Sequence, residues 1–164
     1  MLRRQKPCAV CGRPTDAHNR NVRFRLPDPV KATPEQERAE GTWMSHDNPE
    51  TSVMMQVPNV GPFVRALLPV RLTGGYKLTF GVWVLVHPEE FQRAFRVWWE
   101  PEYRDLVLEA WLANALPGWG LLSVPLVARV RDVEQTPYID ESTDDSLASV
   151  LADEWPHTVL DGLP

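Results

Sequence analysis

The stretch Val64-Arg65-Ala66-Leu67-Leu68-Pro69-Val70-Arg71-Leu72 runs through Thr73-Gly74-Gly75-Tyr76 into Leu78-Thr79-Phe80-Gly81-Val82-Trp83-Val84-Leu85-Val86. Val64, Ala66, Leu68, Val70 and Leu72 stand at every second position, with Arg65, Pro69 and Arg71 between them. A period of two puts one set on a buried face and the other on a polar face, which predicts a half-buried strand. Proline cannot donate to a ladder, so Pro69 predicts a strand at a sheet edge or bulged at that point. Gly74-Gly75 suits a tight hairpin, because glycine takes positive φ at little cost. The second strand is apolar on both faces from Val82 onward, which predicts a central strand covered on both sides.

Working outward, Ser52–Val57 reads as a third strand. Ser123–Arg131, with Val124, Leu126, Ala128 and Val130 on one face, reads as a fourth. His87-Pro88-Glu89-Glu90 opens a helix, with proline at the first position and acids in the first turn. Phe91, Ala94, Phe95 and Trp98 share its inward face. Pro101-Glu102 opens a second helix that buries Tyr103, Leu106, Val107, Ala110 and Trp111 and stops at Leu116-Pro117-Gly118. Ser142 or Thr143 caps a third, from Asp144 to about Glu154, burying Leu147, Val150 and Leu151. Thr33 and Pro34 start a short helix that ends at Gly41. Strands followed by helices, without βαβ alternation, predict an α+β fold. The expected form is an antiparallel sheet of about four strands with helices packed against it, after an irregular N-terminal segment. One domain is expected over residues 1–164, with a basic segment at 1–33 and the core at 50–155. Val64, Leu68, Val70, Val82, Val84, Phe91, Phe95 and Leu106 are expected in one core.

Of the 164 residues, 43% are hydrophobic and 24% charged, the balance of a folded domain. At this length burial reaches roughly 70% of the unfolded surface, so no disulfide is required. No apolar run approaches the ~20 residues that span a bilayer. Met1–Lys6 is charged and no apolar stretch follows it, so no secretory leader is expected. The two cysteines, Cys8 and Cys11, are too close to staple a fold. In an untargeted chain they read as a metal knuckle or a redox pair, and a cytoplasmic location is expected.

The net charge of −5 is unevenly spread. Residues 1–31 carry a net +6, and residues 132–164 a net −9 with no Lys or Arg. Either the basic arm meets phosphate or an acidic partner, or the two ends lie together and neutralise each other.

Cys8-x-x-Cys11-Gly12 has the spacing of a zinc knuckle, in which the small glycine lets backbone N–H groups turn toward the sulfurs. Structural zinc takes four Cys or His ligands, so His18 is expected as the third. His46 or Asp16 is a candidate for the fourth. A reduced unliganded pair, a labile disulfide and a redox pair are the other readings. Trp98, Trp99, Trp111 and Trp119 could line a ligand groove or simply fill the core. Trp99 lies off the inward stripe and Trp119 sits between glycines, so these two are the candidate contacts. Arg65 and Arg71 share a polar strand face, where they are either solvated or anion-binding. His87 and His157 stand beside prolines at element boundaries, and neither is assigned a role. There is no G-x-S-x-G elbow, phosphate loop or H-E-x-x-H zinc motif.

Three groups of residues resemble a bacterial family, domain of unknown function 2199 (DUF2199). They are Cys8-Ala-Val-Cys11-Gly12; the run Phe63-Val-Arg, Pro69-Val70, Phe80-Gly-Val-Trp-Val84 and Glu89-Glu90-Phe91; and Trp111-Leu-Ala-Asn-Ala-Leu-Pro-Gly-Trp119. The resemblance spans most of the chain in order and implies the cysteine pair at its start. It implies no activity.

The first functional expectation is a non-catalytic binding protein with a zinc-stabilised N-terminal knuckle and another protein as partner. The second is an enzyme with a zinc-dependent site near that knuckle, marked by three protein ligands and an open position. Nucleic-acid binding is a third reading, opposed by the acidic remainder of the chain. No membrane partner is expected.

Overall fold

In a computed structural model that describes residues 7–9, 11 and 19–163, the alternating stretch and its partner form the two longest strands. The order of elements is β1 (Arg20–Arg23), α1 (Asp28–Lys31), α2 (Pro34–Glu37), β2 (Trp43–Met44), β3 (Met54–Val57), β4 (Gly61–Leu72) and β5 (Tyr76–Val86). Then come α3 (Pro88–Val97), a 3₁₀ turn (Pro101–Asp105), β6 (Val107–Leu112), β7 (Pro125–Arg129), β8 (Tyr138–Glu141), α4 (Asp145–Ala152), β9 (Glu154–Trp155) and a 3₁₀-helix (His157–Gly162).

β4 and β5 pair antiparallel from Phe63↔Leu85 to Leu72↔Tyr76, turning at Gly74 and Gly75, whose φ values are +86° and +83°. The expected fold class is overturned. β5 pairs with β6, β6 with β7, β7 with β8, and β8 returns to β4, closing a five-stranded barrel. β1, β2, β3 and β9 are bonded to its outside, and the helices are few. The chain therefore does not form an antiparallel sheet of about four strands with helices packed against it.

The misread element is residues 101–116. Tyr103, Leu106, Val107, Ala110 and Trp111 satisfy a helical period, but Leu106, Leu108, Ala110 and Leu112 satisfy a period of two equally well. The open edge of β5 decides between them. It pairs with β6, which buries Leu108, Ala110 and Leu112 and leaves Val107 and Glu109 exposed.

The even-numbered residues of both long strands, Val64 to Leu72 and Leu78 to Val86, line the barrel interior and are at most 1% exposed. Leu126, Ala128 and Ile139 join them from β7 and β8. Phe91 and Ala94 of α3 and Leu147 and Val150 of α4 pack into the same cluster. Phe95 does not: it is 45% exposed and meets Trp43 and Trp99 edge-on. Pro69 is neither on a free edge nor at a bulge. The N–H groups of Arg65 and Leu67 point to the side of β4 away from β5, where they reach the carbonyls of Val53 and Pro137. Pro69 shares that parity. It falls between the β8 contact at Leu67 and the β9 contact at Arg71, where no donor is needed.

The outer face of the hairpin carries a second cluster: Leu26, Val30, Met55, Val57, Phe63, Trp83 and Ala113. Among these sits Arg65, 1% exposed, with its guanidinium 4.2 Å above the Trp83 ring. It donates to the carbonyls of Pro49 (2.9 Å), Ser52 (3.2 Å), Gly81 (3.2 Å), Arg25 (3.4 Å) and Phe24. Burial, then the like charge of Arg23, lowers its pKa to about 9, against the pull of Glu50. Asn114 fastens the next residues. It accepts from the Trp83 N–H (2.7 Å) and donates to the Leu26 carbonyl (2.9 Å) and to Asp28 (3.1 Å).

Replacing Arg65 with Met would strand the carbonyls of Phe24, Pro49 and Ser52 in a dry site, while Gly81 keeps the Phe24 N–H and Arg25 the Trp83 indole N–H. The loss is expected to cost roughly 3–5 kcal/mol. Arg65→Lys should recover less than half of that, because an ammonium has three donors and no planar fork. Urea denaturation of the two variants reads this out. A loss under about 1 kcal/mol for Arg65→Met would show that the carbonyls find water instead.

Candidate metal centre

The hairpin positions the site. After α4 the chain returns along the end of β4, with Arg71 opposite Glu154 and Leu72 opposite Trp155. The Thr73 N–H donates to the Trp155 carbonyl at 3.0 Å, and the Arg71 guanidinium donates to the Ala152 carbonyl. Pro156 lacks an N–H and ends the ladder, and His157 opens the 3₁₀-helix that follows. His157 is 3% exposed, and its ring stands edge-on to Tyr76 at 5.6 Å.

Its Nε2 lies 2.6 Å from the Thr73 carbonyl oxygen. A carbonyl only accepts, so Nε2 carries the proton, and in the neutral ring Nδ1 presents a lone pair. Nδ1 faces Cys8 Sγ at 3.5 Å. Cys8 and Cys11 are not joined in a disulfide, and both are half-buried. One ligand atom each from Cys8, Cys11 and His157 lies within 4.8 Å of the others, so the three residues could hold a metal ion. A carbonyl behind the imidazole is the usual outer partner of a ligating histidine, since it fixes both tautomer and ring orientation. The Thr73 carbonyl, followed by the Cys11 and Cys8 sulfurs, raises the pKa of His157 above the ordinary imidazole value, and burial opposes them.

The structure thus brings Cys8 and Cys11 together with a residue to which its sequence context assigns no role. His157 is 149 positions from Cys8, and no local motif marks it. His18 and Asp16 lie outside the described residues. His46 is engaged in its own loop, with Nδ1 2.7 Å from the Thr51 hydroxyl and 3.3 Å from the Asn48 N–H. The other candidate contacts are scattered. Arg65 is buried and its donors are spent on carbonyls. Trp99 is 64% exposed beyond the end of α3, against Phe95. Trp119 is half-buried between Phe80 and Trp155.

A family model described as an uncharacterized protein conserved in bacteria (DUF2199) matches residues 7–153. The match includes both cysteines and stops four residues before His157. No curated protein and no solved structure matches the chain.

The raised pKa of His157 gives opposite pH dependences with and without an ion. In metal-free protein, the stability from the protonated ring is fully present below the unfolded value near ~6.5. It is lost as pH rises through the higher folded value. An ion needs the neutral ring, so its apparent affinity rises with pH over the same window. Between about pH 6 and about pH 8, the melting temperature of chelator-stripped protein should fall relative to that of His157→Gln. Zinc-supplemented protein should show the reverse trend. Parallel curves for the stripped protein and the variant would remove His157 from the pH response.

Proposed function

The chain belongs to the DUF2199 family, and from that premise we propose that it is a non-catalytic binding protein in which Cys8, Cys11 and His157 hold a structural zinc. The observation that carries this reading is the orientation of His157, with its Nε2–H donated to the Thr73 carbonyl and its Nδ1 lone pair turned toward the Cys8 sulfur. Two thiolates and an imidazole are the donors zinc prefers. Bonds of about 2.3 Å to sulfur and about 2.0–2.1 Å to nitrogen at a tetrahedral angle set the donors about 3.6 Å apart. The Cys8–His157 separation of 3.5 Å supports such a site.

The role of the ion is to tie the N-terminal knuckle to the C-terminal 3₁₀-helix, closing a loop of nearly the whole chain. His18 supplies the fourth ligand in this reading, and a site closed by four protein ligands leaves no position for a substrate. Thiols kept reduced for a metal fit the cytoplasm, and the partner is another protein. The acidic segment 132–164 disfavours nucleic acid.

Metal analysis of untagged, reduced protein should return one zinc per chain. Cys11→Ser and His157→Ala should each lose it and lower the melting temperature by about 5–10 °C, leaving the barrel folded. Absence of zinc would end the reading. X-ray absorption showing an exchangeable oxygen as fourth ligand would replace the structural role with a catalytic one.

A further inference from the structure

Away from the metal centre, the outer face of β6, β7 and β8 carries a cavity of about 250 Å³. Its floor is apolar, built by Trp111, Pro125, Leu126 and Val127, and Ser142 and Thr143 close one side. The strand register explains the rim. Glu109 stands opposite Val127, and Val127 opposite Glu141, so the three side chains form a row on one face with a carboxylate at each end. Trp111 stands opposite Pro125 in the next row, and the His87 ring meets it edge-on at 4.9 Å. His87 and Trp111 also border a second cavity, of about 410 Å³, reaching Pro29 and Ser123.

Among the described residues, no Lys or Arg lines the first cavity. Arg129, the basic residue nearest in register, binds both Asp140 (2.6 Å) and Glu141 (3.0 Å), so one cation is shared by two anions. Glu109 has no ion pair among the described residues, and it stands mid-strand where glutamate is disfavoured. An opposite charge directly across the ladder would stabilise a strand-face carboxylate; Glu109 instead faces Val127 and an aromatic-walled recess.

We propose that this cavity binds an organic cation, an ammonium or guanidinium on a short aliphatic stem, whose charge lies between Glu109 and Glu141 and whose stem lies against Trp111. The aromatic wall suits the cation as well as the stem, since a ring face attracts positive charge within about 6 Å. The volume takes a stem the size of a lysine or arginine side chain. A free amine and a basic side chain carry the same charge, and the chemistry at the cavity is the same for both. The site does not depend on zinc.

The test is calorimetric titration of the full chain with n-butylammonium, n-butylguanidinium and uncharged n-butanol, and with the N-acetyl methylamides of lysine and arginine. At least one cation should bind saturably and lose about tenfold or more in affinity in Glu109→Gln and in Trp111→Leu. Glu109 is exposed, so its variant should fold normally, which circular dichroism checks. His157→Ala should leave binding unchanged, which separates this inference from the metal reading. Tighter binding of the amino-acid amides assigns a protein side chain as the source, and tighter binding of the simple cations a free amine; either supports the site. Equal binding of n-butanol, unchanged affinity in Glu109→Gln, or no saturation by any cation would overturn it.

Discussion

A single buried guanidinium sets the conditions for the rest of the structure. The segments around Phe24 and around Pro49 to Ser52 cross the outer face of the hairpin without a full ladder of their own, so their carbonyls need donors from elsewhere. Arg65 supplies five from a position rigidly fixed in β4, and Trp83 offers its ring face to the charge. Lysine has too few donors for this task, and a neutral side chain has no charge to strengthen the bonds. The cost of desolvating the cation is offset by those contacts together, so the segments it collects must be present for Arg65 to be buried at all.

The effect extends along the chain toward the Cys8, Cys11 and His157 group. Asn19 accepts from the Lys77 N–H at 2.9 Å, β1 pairs with β5, Arg65 holds Phe24 and Arg25, and Asn114 holds Leu26 and Asp28. Residues 19–28 are thereby fastened in sequence to the barrel wall. On the other side, the hairpin turn holds Trp155 and His157 through Thr73. One hairpin thus carries both supports of the Cys8, Cys11 and His157 group.

What could be read in advance divides along the same line. The alternation of β4, the Gly74-Gly75 turn and the double-sided apolarity of β5 are local patterns, and they form as read. Arg65 shares the parity of exposed Arg71, and period alone cannot distinguish them. One is covered and the other is not, because segments without periodicity settle on half of that face. β6 satisfies two periods at once, and only the neighbouring strand edge selects one. The cysteine pair was legible from spacing alone. His157 was not, since its role arises from where β9 returns along β4, a fact of topology with no trace in nearby residues.

Barrel closure also bears on how copies of the chain meet in solution. A sheet of nine strands left open would present long rows of unpaired N–H and C=O groups to any neighbour. Here the ladders β4–β5, β5–β6, β6–β7, β7–β8 and β8–β4 are consumed in a ring. Among the described residues, the strands left on the outside are short: two residues in β2, two in β9, four in β3, and four in β1, which carries Arg20 and Arg23. Short and charged edges make poor templates for a further strand. The barrel is therefore protected from growing by edge-to-edge addition, even though its hairpin is among the most apolar stretches of the chain.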